Sequence, residues 1–573
     1  MALNMHKPFV IHFIYTGIIL ICSALLALAA YHGGSFPIGF DYEYQFLTYE
    51  AFRQQLNEGE LYPRWFKDIN GGFGGANFFF YPPLYYYTQY LIDSLSAFNL
   101  SIPDLMSVTS TFILFLSGVS LYFYASRTTS RNISLIAALC YISLPYHFWF
   151  DLYERNGLSE FAAYIWMPLI FYCLTRFDRG LWYRLGYSTL FALLILTHIP
   201  SSVMVSIFTS LYVFWACCQK SSLSSCVSYG MKFSIFSLLG AGLSCFYLYP
   251  ALTMLGYVNS GYLWSDLFHY SYWFLLPYNQ DYAPLPYLRM TFFYVALSQL
   301  FISYAIFISA KEYFSEEDKK SIYPFLTFLT FSFVLTTPLS AIIWDNIILV
   351  QKLQLPYRFL LIFEFFFIAT IIQIYATSFS KNSISKRMFA LCLILHMLVM
   401  GQVVHHVTTA SLQHLSQELV ETRLPEKHLS PEHIPLNSNF VTSIKDIKYL
   451  HTYPFYKAVS GEAHINVIEH KPRKISLDII AKSPTTIQIR QFHFAGWRIN
   501  DLESSTDVTD AFKLRDALPH GQIEFDVPIG QNRIDIILVQ MTEEKIGVAI
   551  SLISAFILLL LIITAISRRK KTI

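Results

Sequence analysis

The run Phe78-Phe79-Phe80-Tyr81-Pro82-Pro83-Leu84-Tyr85-Tyr86-Tyr87 sets the topology of this chain. Up to Phe98 it is apolar enough to pass for a membrane span. Pro82-Pro83 would break a helix crossing at that point, however, and Tyr81, Tyr85, Tyr86, Tyr87 and Tyr90 are of the type that gathers where lipid meets water. The reading is a helix lying on the membrane surface over 78–98. If the run lies flat, the short-loop cations separate by side. Eighteen Lys and Arg, from Lys7 through Arg127, Arg176, Lys220, Lys311 and Lys381 to Lys571, fall on one face; seven fall on the other (Arg53, Arg64, Lys67, Arg155, Arg289, Lys352 and Arg358). The richer face is cytoplasmic by the positive-inside rule. If the run crossed, Arg127 and Arg131 would be carried outside.

Composition agrees with this placement. Of 573 residues, 54% are hydrophobic, 17% aromatic and only 14% charged, with a net charge of +2. Soluble domains carry about 25% charged residues, so a disordered chain, a nucleic-acid binder and most soluble enzymes are excluded. Apolar runs of span length lie near 9–31, 105–126, 132–150, 161–175, 184–200, 201–218, 232–254, 291–310, 322–344, 358–378, 387–408 and 545–566. The first is too long for the apolar core of a signal peptide and reads as a retained anchor. The expected fold class is an α-helical polytopic membrane protein with 12 spans, or 13 if 78–98 crosses. A transmembrane domain over 1–408 carries a first exterior loop at 32–77. An exterior domain follows over 409–544, and a final anchoring helix with a basic cytoplasmic tail over 545–573. The chain is expected in a bacterial plasma membrane, with both termini on the cytoplasmic side. The polar stretch alternates apolar residues at Ile475, Leu477, Ile479, at Ile487, Ile489 and at Ile534, Ile536, Leu538. That period of two, broken at Pro484 and Gly530, predicts an antiparallel β-rich domain. The eight cysteines all fall in spans or on the cytoplasmic side, so no disulfide is expected in the exterior domain.

The first loop holds the chemistry. It reads Gly39-Phe40-Asp41-Tyr42-Glu43-Tyr44-Gln45, later Gly59-Glu60-Leu61-Tyr62-Pro63-Arg64-Trp65, then Asp68-Ile69-Asn70-Gly71-Gly72-Phe73-Gly74-Gly75. Phe46, Leu47, Tyr49, Ala51, Phe52 and Leu56 form a helical stripe, with Asp41 at the helix start. An N-cap role for Asp41 and a dipole role for Glu43 are the plainer readings.

An acidic residue opening a helix, a Pro63-Arg64-Trp65 turn and the Tyr81-Pro82-Pro83-Leu84-Tyr85-Tyr86 segment together resemble GT-C-fold glycosyltransferases. In particular they resemble the bacterial membrane-protein family labelled as related to 6-pyruvoyl-tetrahydropterin synthase, with YfhO-like proteins as neighbours. Tyr153-Glu154-Arg155-Asn156 through Glu160, Leu196-Thr197-His198-Ile199-Pro200, Gln354-Leu355-Pro356-Tyr357-Arg358 and Gly496-Trp497-Arg498 extend the likeness over about 39–501. Relatives often place a His shortly after the loop Asp; this chain has Tyr44 and Gln45 there.

The resemblance implies transfer of a sugar from a polyprenyl-phosphate donor to a glycan or lipid acceptor outside the membrane, usually with inversion. Asp41, with Glu43, would act as base or as ligand of Mg²⁺ or Mn²⁺. Arg64, Glu154, Arg155, Glu160, His198, Arg289, Arg358 and Trp497 would bind substrate, the arginines facing the lipid phosphate. Each has a plainer alternative. Arg289 and Arg358 snorkel, Glu154 pairs with Arg155, His198 ends a helix, Arg64 and Asp68 pin the loop, and Trp497 is a core residue. Trp264, Asp266, His269, Trp273 and Asp281 in 255–290 form either a sugar-stacking loop or an interfacial belt. The competing functions are a transporter or flippase for lipid-linked sugars, which requires ionisable groups deep in broken helices, and a non-catalytic envelope-assembly scaffold.

Overall fold

The computed structural model describes residues 6–570 apart from 30, 32–34, 38, 97–98, 266–267, 279–283, most of 379–429 and all of 437–452. Half of the eleventh expected span (387–408) lies outside the described residues, as do Asp266, Asp281, Lys381, Lys386 and Lys571. Eight described helices are long and apolar enough to cross a membrane, and a ninth arises if Glu316–Leu335 and Pro338–Asn346, bent by 94°, form one span. The expected runs at 161–175 and 184–200 belong to the shorter helices Leu158–Leu174 and Leu181–Thr197. Pro356–Thr377 is the most enclosed of the candidate spans.

After Phe80 the chain turns extended at Tyr81, and the helix Leu84–Leu95 has twelve residues. At about 1.5 Å per residue it covers roughly 18 Å, against the roughly 30 Å of a bilayer core. Its buried Tyr85, Tyr86 and Gln89 face inward, where the Tyr86 hydroxyl donates to Gln45 of the first-loop helix Tyr42–Asn57 (2.7 Å).

Strands β1 (Ser35–Pro37) and β2 (His414–Ser416) form a two-stranded antiparallel ribbon. The C-terminal β domain contains β3 (Tyr456–Ser460), β4 (Ala463–Lys471), β5 (Lys474–Ala481), β6 (Thr485–Phe492), β7 (Trp497–Asp501), β8 (Arg515–Ala517), β9 (Gln522–Val527) and β10 (Gly530–Leu538). They pair antiparallel as two four-stranded sheets, β4-β5-β10-β7 and β3-β6-β9-β8. The alternating residues Ile475, Leu477, Ile479, Ile487, Ile489, Ile534, Ile536 and Leu538 all point into one buried core, as period-two burial between sheets requires.

The first loop is part of that core. Trp65, Phe73, Ala76 and Phe79 pack with the strand residues, and Gln491 of β6 accepts from the Trp65 indole (2.9 Å) while donating to the carbonyls of Lys67 and Gly72 (both 2.7 Å). Gly74 sits at φ +78, and a Cβ there would come within 2.7 Å of Gln491 and 2.8 Å of the Trp65 ring. The close approach therefore needs glycine at this position.

Trp497 is fully buried, edge-on to Trp65 at 5.9 Å, with its indole N–H on the Phe492 carbonyl (3.1 Å). It is a core residue joining loop to sheet, which corrects its assignment as a sugar platform. Trp497→Phe, which removes that donor and some contact area, is expected to destabilise the protein by about 1–3 kcal/mol, measured as a lowered unfolding midpoint in detergent.

Candidate functional site

The site is built on a turn. The helix Arg131–Ile142 stops at Ser143, and after Pro145 a wide, π-type helix runs from Tyr146 to Glu154. Its first N–H groups are capped from another span: Glu364 accepts from Tyr146 N–H (2.8 Å), His147 N–H (3.1 Å) and the Tyr164 hydroxyl (2.7 Å). A wide turn of this kind re-aims the chain and is frequent at functional sites. Here it delivers Arg155 to its C-terminal end and Glu160 to the next helix, Leu158–Ala163.

The first loop is stitched to that turn through its main chain. Gly39 N–H donates to the Asn156 side chain, Phe40 N–H to the Glu154 carbonyl (3.1 Å) and Asp41 N–H to the Arg155 carbonyl (2.8 Å). A Cβ on Gly39 would come within 2.5 Å of Asn156 and 2.8 Å of the Arg155 backbone. Gly39→Ala is expected to push the loop outward at a cost of about 1–3 kcal/mol. Asp41 would then separate from Arg155, and crosslinking of a cysteine pair at positions 40 and 154 would weaken.

Asp41 occupies the N-cap position of Tyr42–Asn57, yet its side chain makes no capping hydrogen bond. It turns to Arg155, with Oδ2 3.4 Å from Nε, and remains 42% exposed. Desolvation by the surrounding protein raises its carboxyl above the usual carboxylate range, against the pull of Arg155 and Arg358.

Glu160 is the hub behind it. Its carboxylate, 1% exposed, accepts from Arg155 Nη1 (2.6 Å), Arg358 Nε (3.0 Å) and the Tyr146 hydroxyl (2.9 Å). Arg358 also donates to the Leu353 carbonyl (2.8 Å) and to Gln354 (3.2 Å). His198 accepts from Ser201 N–H through Nδ1 (3.4 Å), capping the helix Ile199–Cys218, and its Nε2 lies 4.0 Å from Glu160. Five expected residues from distant parts of the chain, Asp41, Arg155, Glu160, His198 and Arg358, thus converge.

Other expected residues go elsewhere. Arg64 pairs with buried Glu544 of the last helix (3.0 Å), donates to the Phe246 carbonyl (2.6 Å) and stacks on Tyr62. Arg473 of the β domain meets the same Glu544 at 3.2 Å, so this cluster ties loop, sheet and final helix together. Arg289 does not snorkel; its guanidinium is buried among the carbonyls of Tyr272, Phe274, Leu276 and Pro284. It shapes the loop before its own helix. Glu154 accepts from the Trp149 indole (2.8 Å) while Arg155 turns to Glu160 (2.6 Å). Asp68 accepts from Gln54 (3.3 Å), pinning the loop. Glu43 lies half-buried in the first turn of its helix.

Three neighbours of the site were not expected from the sequence. Tyr146 hydrogen-bonds Glu160. Asp151 is wholly buried 3.8 Å from Arg155 Nη1, with neither oxygen hydrogen-bonded among the described residues; its i,i+4 spacing from Arg155 was the available signal. Glu432, from the segment before the β domain, has its carboxyl raised by burial and further by the charge of Asp41. A divalent cation does not fit this donor set. Glu160 is already taken by two guanidiniums and a phenol, Asp41 lies against Arg155, and no cluster of three or more His, Cys, Asp or Glu suited to a metal occurs among the described residues.

A family model described as "6-pyruvoyl-tetrahydropterin synthase related domain; membrane protein" matches residues 78–408. An uncharacterized protein of Lactococcus lactis subsp. cremoris (strain MG1363) is 24% identical over 245 residues, which is 41% of this chain and 39% of that relative. The aligned stretch therefore spans about two fifths of the relative's length.

Proposed function

We propose that this chain, which belongs to the 6-pyruvoyl-tetrahydropterin synthase related family of membrane proteins by a match over more than half its length, is an integral-membrane glycosyltransferase of GT-C type. The loop-and-sheet face is its outer face, as the short-loop cations suggest. The observation that carries the reading is the convergence of Asp41 with Arg155, Glu160, Arg358 and His198 beside the short aromatic helix Leu84–Leu95.

The reaction asks little more of the protein. An acceptor hydroxyl attacks the anomeric carbon of a polyprenyl-phosphate sugar. The new C–O bond forms as the bond to the phosphate oxygen breaks, its electron pair leaves on the phosphate, and the hydroxyl proton passes to Asp41. Arg155 and Arg358 offset the growing phosphate charge. Glu160, held between them, keeps both guanidiniums in place, and the exposure of Asp41 leaves it open to an acceptor. No step is routed through a metal.

The flippase reading requires ionisable groups working at mid-span. Glu364, a mid-span carboxylate, is engaged in capping the Tyr146–Glu154 helix and in accepting from the Tyr164 hydroxyl. The test is transfer of labelled sugar from a polyprenyl-phosphate donor to extracted envelope glycans or lipids in proteoliposomes. Transfer is expected. Movement of labelled donor across the bilayer with no transfer would replace the enzyme by a transporter, and neither activity would leave the scaffold reading.

A further inference from the structure

The helix Glu316–Leu335 ends in a corner. A second helical stretch, Pro338–Asn346, leaves it at 94° and is followed by the short helix Ile348–Gln351. Side chains around the corner take up the last carbonyls of the longer helix. Thr336 donates to the Phe333 carbonyl through its N–H (3.1 Å) and its hydroxyl (2.7 Å), and Thr337 does the same to Val334 (2.9 Å for both). The Leu335 carbonyl accepts from the Ser340 hydroxyl (3.3 Å) and the Trp344 indole (3.2 Å). A helix end leaves such carbonyls without intrahelical partners. Their capture from within and beyond the bend makes the right angle a fixed feature of the fold.

Membrane spans tilt by roughly 20° from the bilayer normal, so an element at a right angle to one lies close to the membrane plane. Packing sets its depth. Trp344, fully buried, meets Phe359 at 6.1 Å, and Phe359 directly follows Arg358. A few residues further on, the Leu353 carbonyl and the Gln354 side chain hold Arg358 itself. The stretch 338–351 therefore runs at the level of Arg358. On the helix Pro286–Ala310, Phe293 meets Phe333 (5.7 Å), and exposed Tyr287 lies nearer the outer end of that helix. A tyrosine in that place suits the layer where lipid meets water.

One edge of the stretch is bare among the described residues. Leu339 (78% exposed), Ile342 (74%) and Ile348 (70%) project from it, and Ile347 and Leu349 are exposed as well. The other side is pinned to the protein. Asp345 accepts from the hydroxyls of Tyr270 (2.5 Å) and Tyr278 (3.2 Å), and Gln351 donates to the carbonyls of Trp344 (2.8 Å) and Asp345 (3.2 Å). Next in the chain, the Lys352 ammonium sits over the Trp264 ring at 3.3 Å. Five bare aliphatic side chains in so short a stretch are more than a water-facing turn carries without a partner. An aliphatic edge flanked by Asp, Lys and Trp, and held in the membrane plane, has the make-up of an interfacial helix.

We propose that residues 338–351 form an in-plane platform whose aliphatic edge is seated in the lipid leaflet on the Arg358 side, and that this seat steadies the turn 353–358. The occupant is bulk phospholipid, met by its upper acyl chains. The platform leaves one helix of the membrane domain at Leu335 and leads into the span Pro356–Thr377, so its edge continues a surface that already faces lipid. The bent pair is then one crossing followed by a surface element, not a span broken in its middle. Arg358 is held from one side by Glu160 and from the other by a turn whose support is the bilayer itself. The inference concerns the candidate site through Arg358 and does not depend on the transferase reading.

Two measurements on the full-length chain, in nanodiscs of phosphatidylethanolamine and phosphatidylglycerol, test this. A photo-crosslinking phenylalanine analogue at position 342 or 348 should form phospholipid adducts, mapped by fragmentation to the acyl carbons nearest the headgroup. The same analogue at position 518, exposed on the β domain, should form none. Adducts with protein alone, or no adducts, at 342 and 348 overturn the lipid seat. Adducts at the acyl chain ends overturn the in-plane placement and make the stretch a re-entrant dip. The second measurement is hydrogen exchange in Ile342→Glu with Ile348→Glu, which charges the seat and removes none of the side-chain hydrogen bonds named above. Exchange should quicken by about tenfold over 353–358, where the N–H groups of Gln354, Leu355 and Arg358 are held by the carbonyls of Gln351, Leu353 and Leu355. It should stay unchanged in β5. Wild-type protection over 353–358 overturns the steadying role. If β5 also loses protection in the double variant, Ile348→Asn alone provides the same comparison with the same two outcomes.

Discussion

Replacing Glu160 with alanine is expected to destabilise the protein by about 3–5 kcal/mol, the usual consequence of removing one member of a buried ion pair. Glu160 is 1% exposed and holds Arg155 at 2.6 Å and Arg358 at 3.0 Å. Without it, two guanidiniums keep their desolvation penalty and lose the anion between them. Asp41 and Asp151 cannot take over, because among the described ion pairs each reaches only Arg155, at 3.4 Å and 3.8 Å. The Tyr146 hydroxyl would also lose its acceptor. Unfolding midpoints of the detergent-solubilised protein read this directly. A companion quadruple variant, Glu160→Leu with Arg155→Met, Arg358→Met and Asp151→Asn, which leaves no member of the buried charge cluster unpaired, should recover most of the lost stability and none of the activity. That recovery would separate the penalty of unpaired buried charge from the loss of packing. A Glu160→Ala protein as stable as the wild type would mean that the network is not closed in the membrane.

How much of this was legible in the sequence depended on the range of each interaction. The β core was legible because burial in a strand repeats every second residue, so Ile475, Leu477 and Ile479 announce their own face. Asp41, Arg155, Glu160, His198 and Arg358 stood out as scarce charges in an apolar chain, and charges of that kind must meet partners. Their partners were another matter. Nothing local distinguishes Arg358, which meets a carboxylate 198 positions away, from Arg289, which turns to the carbonyls of the loop before it. Arg64 looked like a ligand of phosphate because its partner, Glu544, lies in the last helix. Trp497 sat beside Gly496 and Arg498 in a motif that suits sugar stacking, but its burial was decided by Trp65 in the first loop. Glu432 had no signal at all. It is one glutamate in a polar stretch, and only the return of Ser430–Leu436 onto Asn70 and Asn77 brings its segment to the first loop.

Asp41→Asn carries the other large effect, and it falls on turnover rather than stability. The substitution keeps the size of the side chain, leaves the main-chain bond from Asp41 N–H to Arg155 (2.8 Å) intact and removes no capping bond, since none exists. The side chain is 42% exposed, so loss of its one ion pair falls in the range of weak surface pairs. The unfolding midpoint should therefore stay close to that of the wild type. An amide cannot accept the acceptor proton, and general-base catalysis is worth about 10²–10⁴ in rate. Sugar transfer should fall by that factor, with little change in donor KM because Arg155 and Arg358 keep their grip on Glu160. The pH dependence sharpens the test. The wild-type base must be ionised, and its carboxyl is raised by its surroundings, so wild-type activity should rise with pH through a midpoint above the usual carboxylate range. The residual activity of Asp41→Asn should lose that limb. Wild-type rates in Asp41→Asn, in vesicles that do transfer sugar, would place the base elsewhere and leave Asp41 as an anchor for Arg155.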